Sequence, residues 1–242
     1  MIQLMQNKTI MITGAAGTLG SEIAMRCAKR AWTPILLDKN RRGLEQLYDR
    51  IAKEAGIESP LILQDLATLS PKDCEDMVSA LELGSGRLDG VIHCAASFDG
   101  LQPLDHIKPD QWLKYMQVII NAPWLLSVAC LPLLRASPQG SLYFVSEDLE
   151  KLRGAYWGAY GVGKHGVNTL ASQFFAELSN TSIQVLSLNP GPLRSELRAT
   201  AYHAEHPALA GDPGVAAEKI VQLLGRELSV SSWQVNLEEV GG

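Results

Sequence analysis

Several function classes are excluded by what this 242-residue sequence lacks. A basic surplus is missing. Its 21 Lys and Arg stand against 26 Asp and Glu, a formal net charge of −5, which argues against a nucleic-acid partner. Cysteine is scarce and scattered. Cys27, Cys74, Cys94 and Cys130 form no Cys-x-x-Cys pair, so neither a zinc site nor a disulfide framework is expected, and a reducing cytoplasm is the expected location. No basic head followed by a long apolar run opens the chain, so no secretory leader is expected. The most apolar stretch, Val118 to Leu134, is interrupted by Asn121, Pro123, Ser127 and Pro132. That makes a poor membrane span, and it reads as a buried helix of a protein without a membrane partner. No linker rich in Pro, Gly or Ser divides the chain, so residues 1–242 are expected to form a single domain. With 46% hydrophobic and only 19% charged residues, disorder is also excluded.

What is present is an alternation of short aliphatic runs and longer amphipathic segments. Strands are expected at Thr9–Thr13, Pro34–Leu37, Leu61–Leu63, Leu88–Cys94, Ser141–Ser146, Ile183–Leu188 and Ser232–Leu237. Helices are expected at Leu19–Lys29, Arg41–Ala55, from Pro71, at Asp110–Leu134, at Trp157–Leu178 and from Pro213 to about Leu224. Strand runs without apolar/polar alternation belong to a sheet covered on both faces. The fold class is therefore α/β, a doubly wound Rossmann-like domain with a mainly parallel sheet of about seven strands. The segment from Pro192 to Pro213 is long for a connection, either a binding lid or a surface insertion. Its Tyr202, His203 and His206 could line a pocket or stand exposed.

The first strand leads into Thr13-Gly14-Ala15-Ala16-Gly17-Thr18-Leu19-Gly20. Gly14, Gly17 and Gly20 allow a tight turn and a close backbone approach, and the helix that starts here turns the amides near Thr18 and Leu19 toward a diphosphate. Asp38 ends the second strand, where a carboxylate accepts hydrogen bonds from an adenosine ribose and repels a 2′-phosphate, which favours NAD. Lys39, Arg41 and Arg42 follow at once and can neutralise such a phosphate, which keeps NADP open. Asp65 and Leu66, after the third strand, are placed to meet an adenine edge, although Asp65 could equally cap a turn.

With Tyr160-Gly161-Val162-Gly163-Lys164 added to the glycine motif, the chain resembles the short-chain dehydrogenase/reductase family over nearly its whole length. The resemblance implies a nicotinamide cofactor and a small carbonyl or alcohol substrate. It makes Tyr160 the general acid/base and Lys164 the group that lowers the tyrosine pKa and holds the nicotinamide ribose; four residues apart on a helix, the two share a face. It assigns Cys94, Ala95 and Ala96, at the fourth strand's end, and Pro190, Gly191 and Leu193, after the sixth strand, to cofactor binding. His93 is expected to be structural. It also implies a homodimer or homotetramer built through the two long helices.

Besides His93, Cys94 and Ala96, which replace the family's Asn, Asn and Gly, the chain departs from the family at two catalytic places. Counting back thirteen residues from Tyr160 puts Glu147 where the family has a serine, with Ser146 beside it. The family's Asn place aligns with Ile119, and Asn121 would need a local bulge to substitute. A glutamate cannot donate to a reacting oxygen when ionised and tends to raise the tyrosine pKa. Three readings follow: a protonated Glu147 donates, or the loop shifts and Ser146 serves, or the chain binds cofactor with little turnover. The expected function is accordingly an NAD(P)-dependent oxidoreductase acting on a carbonyl or secondary alcohol. The alternative is a cofactor-binding sensor or assembly partner, and a different reaction with Glu147 as base is the outside reading.

Overall fold

Five consecutive buried residues, Thr-Ile-Met-Ile-Thr, make the first strand, β1 (Thr9–Thr13). A strand with no exposed side is a strand packed from both faces, and the rest of the chain supplies those two covers. In the computed structural model, which describes residues 7–84, 86–224 and 232–239, β1 is followed by α1 (Thr18–Lys29), β2 (Thr33–Asp38), α2 (Arg41–Ala55), β3 (Leu61–Leu63), α3 (Pro71–Gly84) and β4 (Gly90–His93). Then come α4 (Pro109–Met116), one π-helical turn (Gln117–Asn121) and α5 (Ala122–Ala136). The remainder is β5 (Ser141–Val145), α6 (Leu149–Leu152), α7 (Gly158–Glu177), β6 (Gln184–Asn189), α8 (Glu196–Ala201), α9 (Pro213–Leu223) and β7 (Gln234–Asn236). The opening residues 1–6, on which the reading of a missing leader partly rests, lie outside the described residues.

The strands form one seven-stranded sheet in the order β3-β2-β1-β4-β5-β6-β7. Every pairing is parallel, so the sheet is wholly rather than mainly parallel. Successive residues of a strand face opposite sides, and β1 shows the consequence. Ile10 and Ile12 enter a core with Ile23 and Ala24 of α1, Leu44 and Ile51 of α2 and Ile220 of α9. Met11 enters the opposite core with Cys74 of α3, Leu126 of α5 and Val167 of α7. The chain reverses its winding between β1 and β4, and in such sheets ligands bind beyond the strand ends at the reversal.

Local chemistry sets the helix starts. The Asn40 side chain accepts from the Gly43 amide at 3.0 Å at the head of α2. Asp212 accepts from the Gly214 amide at 2.7 Å at the head of α9. Ser70 and Asp73 cap reciprocally: the Ser70 amide donates to Asp73 at 2.8 Å, and the Asp73 amide donates to the Ser70 hydroxyl at 3.3 Å. The long helix expected over Asp110–Leu134 is present as a continuous run from Pro109 to Ala136, interrupted by the π turn. Among the described residues it is the one helix long and apolar enough to cross a membrane, and half of its most apolar window is buried in the protein. The short helices α6 and α8 have no counterpart in the sequence reading.

Candidate active site

The turn from β1 into α1 is shaped by backbone contact. Gly14 has φ +66°, and a Cβ there would lie 2.8 Å from the Ala95 Cα. At Gly20 a Cβ would lie 2.2 Å from the Gly14 carbonyl oxygen. The Gly17 amide closes the turn on the Gly14 carbonyl at 3.0 Å. Gly17 caps α1 without any side-chain hydrogen bond, so the first amides of the helix face the space beyond the sheet. The close approach of Gly14 to Ala95 joins this turn to the end of β4, across the reversal point.

One cavity of about 620 Å³ opens there. Gly14, Gly17, Thr18, Leu19 and Gly20 line it at the α1 end; Asp38, Lys39, Asp65 and Leu66 line it beyond β2 and β3. Cys94, Ala95 and Ala96 line its middle, and Ser146, Glu147, Tyr160, Lys164, Pro190, Gly191 and Leu193 its far end. Residues separated by as much as 224 positions, Gly14 and Glu238, thus share one wall, which is what a dinucleotide needs: small residues where a diphosphate would lie on amides, and polar ends on both sides. The lining glycines and the uncapped helix start fit such a group.

The polar ends carry detail that the sequence did not. Both Asp38 carboxylate oxygens are engaged, one by the Ala16 amide at 3.0 Å and the other by the Asn40 amide at 2.9 Å. Asp65 lies two residues beyond β3 and accepts from the Ala67 amide at 2.9 Å, so it does cap a turn while lining the cavity. Lys39 and Arg42 are exposed and form no ion pair among the described residues, whereas Arg41 pairs with Glu45 at 3.9 Å.

At the far end, Tyr160 and Lys164 occupy one buried face of α7, with exposures of 1% and 4%. The Tyr160 hydroxyl donates to Glu147 Oε1. Lys164 Nζ donates to the Val145 carbonyl at 2.9 Å and lies 5.6 Å from the centre of the Tyr160 ring. Burial first, and the Glu147 carboxylate second, push the Tyr160 phenol well above its ordinary value. Burial lowers Lys164, and Glu147 opposes that. The expectation that Lys164 lowers the tyrosine pKa is therefore not met, because the ammonium is turned to a backbone carbonyl while a carboxylate sits at the phenol. Ser146 Oγ is buried without a hydrogen-bond partner, and it is Glu147 rather than Ser146 that the Tyr160 hydroxyl meets.

The second departure is also placed. The π turn supplies the bulge that Asn121 would need, yet Asn121 Nδ2 donates to Gln117 Oε1 at 3.0 Å on the exposed side. Ile119 is 2% exposed, and a Cβ at Gly163 would lie 3.1 Å from its side chain. An aliphatic group thus packs against α7 one residue from Lys164. His93 is buried at the β4 end, 3.0 Å from Ser127 Oγ and stacked on Phe144, a structural role. Cys94 lines the cavity, and burial raises its thiol to about 12.

Sequence reasoning missed part of the wall. Phe98 and Trp157 pack on Tyr160, with ring centres 5.0 and 6.0 Å away. Glu196 of α8 and Glu238 after β7 line the cavity, and the Glu238 side chain lies over Gly191. Trp157 was legible as an aromatic three residues before Tyr160; no local signal marks the two glutamates. Of the loop candidates, Tyr202 lines the cavity and meets Trp157 edge to face, whereas His203 and His206 are exposed and do not line it.

Comparison with known proteins points the same way. The family model described as short chain dehydrogenase matches residues 8–206. The uncharacterized oxidoreductase YciK of Escherichia coli K12 is 32% identical over 222 residues, covering 92% of this chain and 88% of its own. A short chain dehydrogenase from Shigella flexneri 2a str. 301, solved with NADP, superposes with a TM-score of 0.91 at 30% identity over 98% of this chain and 99% of its own. One from Escherichia coli CFT073, solved with NADPH, gives 0.90 at 31% identity over 96% of each.

Proposed function

The chain belongs to the short chain dehydrogenase family, and from that premise we propose that it is a nicotinamide-dependent oxidoreductase acting on a carbonyl or secondary alcohol, with residues 1–242 forming one cofactor-binding domain. The observation that carries this reading is the single cavity that joins the bare start of α1 to the Tyr160–Lys164 face of α7. When bound, the nicotinamide supplies or accepts the hydride. The amides near Gly17 and Thr18 hold the diphosphate. Pro190, Gly191 and Leu193, with Cys94 to Ala96, enclose the nicotinamide side. Lys164 holds the ribose. Tyr160 passes the proton to or from the substrate oxygen, with Glu147 as its hydrogen-bond partner.

We read the cofactor as NADP(H), in place of the NAD that Asp38 alone suggests. Asp38 is engaged by two backbone amides, which offsets its charge. Lys39 and Arg42 stand beside it without ion pairs among the described residues and are available to a 2′-phosphate. The related structures that hold NADP and NADPH support the same choice.

A second reading, a cofactor-binding protein of low turnover, is favoured by two placements: Glu147 on the phenol and Ile119 against Gly163. One experiment separates the two. Fluorescence titration should give tighter binding of NADPH than of NADH, and a carbonyl screen should give turnover that Tyr160→Phe lowers by about 10²–10⁴-fold. Turnover unchanged in Tyr160→Phe would remove Tyr160 from its role, and NADPH binding with no turnover in wild type would leave the second reading standing.

A further inference from the structure

A ketone places demands on this end of the cavity that its residues meet only through Tyr160. Reduction of C=O builds negative charge on oxygen, and a site for it needs donors there. Here the hydroxyl of Ser146 is buried and unpartnered. Ile119 offers no donor. The Tyr160 proton is directed at Glu147, and the Lys164 ammonium at a carbonyl. Apart from Lys164, which is turned to the Val145 carbonyl, the nearby side-chain charges are negative or already balanced: Glu147, Glu196 and Glu238 line the cavity, Lys151 pairs with Asp148 at 3.3 Å, and Arg198 pairs with Glu205 at 2.5 Å. Glu196 and Glu238 have no ion-pair partner among the described residues. Phe98, Trp157 and Tyr202 add aromatic faces, which also attract cations.

We propose that this site reduces iminium ions, and that the Glu147 carboxylate makes a cationic C=N⁺ acceptor preferred over a neutral ketone. The proposal rests on the hydride-transfer reading above and goes beyond it in the acceptor. The iminium carbon gains a hydride from the reduced nicotinamide, which is oxidised. A C–H bond forms, the C=N π pair becomes a nitrogen lone pair, and a neutral amine results, which takes its proton from water. No proton has to reach the reacting atom during hydride transfer, so a tyrosine held strongly protonated by its surroundings is no obstacle. Positive charge is lost from the acceptor rather than negative charge gained, and a carboxylate binds such an acceptor in the ground state. Aromatic faces serve the same end.

The test uses the full chain, NADPH and two five-membered acceptors, N-methylpyrrolinium and cyclopentanone, with the uncatalysed rate subtracted. Wild type should reduce the iminium with a kcat/KM at least about tenfold above the ketone's, and Glu147→Gln should shrink that ratio about tenfold or more while NADPH affinity stays unchanged, a factor well within one charge pair. Glu147→Ser should shrink it likewise, which covers a Gln variant that does not fold. A second readout needs no turnover. In wild type saturated with NADPH, calorimetry should find the non-reducible N,N-dimethylpyrrolidinium bound about tenfold more tightly than cyclopentanol. A ketone preferred by wild type, an unchanged ratio in folded Glu147 variants, or NADPH binding with neither acceptor reduced and no preference for the cation would overturn the proposal and leave the cofactor reading intact. Failure to bind NADPH would overturn both.

Discussion

His93 shows at the residue scale how burial alone changes a side chain's role. It is 4% exposed, its Nδ1 has no partner, and burial holds its imidazole down from 6.5 to about 3. Between those two values the unfolded chain carries a proton that the folded chain refuses. Stability is therefore full above about pH 6.5 and is lost as pH falls through this window, a difference on the order of 5 kcal/mol across it. Wild type should lose thermal stability between about pH 7 and about pH 4 more steeply than His93→Asn does; parallel melting curves for the two would remove His93 as the cause. Residues also mark the limit of what the sequence disclosed. The fixed spacing to Tyr160 was enough to put Glu147 in the serine's place. That the carboxylate accepts the phenolic proton while Lys164 turns to Val145 depends on rotamers and burial set by β5 and α7 together, and no count along the chain contains them.

At the scale of elements, the legible features were those with a strong local cause. Pro71 and Pro213 announce the starts of α3 and α9, and the β-branched run of β1 announces a buried strand. Helices of four and six residues, α6 and α8, carry too few turns for a periodicity to show, and they were missed although α8 forms part of the cavity wall. The π turn was legible only as a requirement on Asn121; its actual effect is to seat Ile119 against α7. The junction of β1 with α1 yields a sharp expectation. A methyl at Gly20 would meet the Gly14 carbonyl oxygen, a backbone atom that cannot swing aside. Gly20→Ala should cost about 1–3 kcal/mol, seen as a melting temperature lower by on the order of 5 °C, and should weaken NADPH binding in the same titration. A variant that melts and binds like wild type would show that α1 can tilt to make room.

The whole molecule leaves part of its longest helix uncovered. Trp124 and Val128 lie one turn apart on α5 with exposures of 48% and 45%, and Leu113 on α4 is 67% exposed. Large exposed apolar side chains on a helix that is otherwise half buried are costly in water. A second copy of the chain, packed through α4–α5 and α7, is our proposal for what covers them, in line with the family resemblance. Sedimentation should then give a dimer or tetramer for wild type and a smaller species for Trp124→Glu with Val128→Glu, and a monomeric wild type would end that proposal. The exit of β5 has a consequence of its own. Ser146 and Glu147 stand side by side where β5 leaves the sheet, and Glu147 is the one that meets the phenol. A gain or loss of one residue at that exit would exchange them. Descendants of this gene could thus pass between an acidic and a hydroxyl-bearing catalytic centre by a single-codon insertion or deletion, a route that comparisons counting only substitutions would overlook.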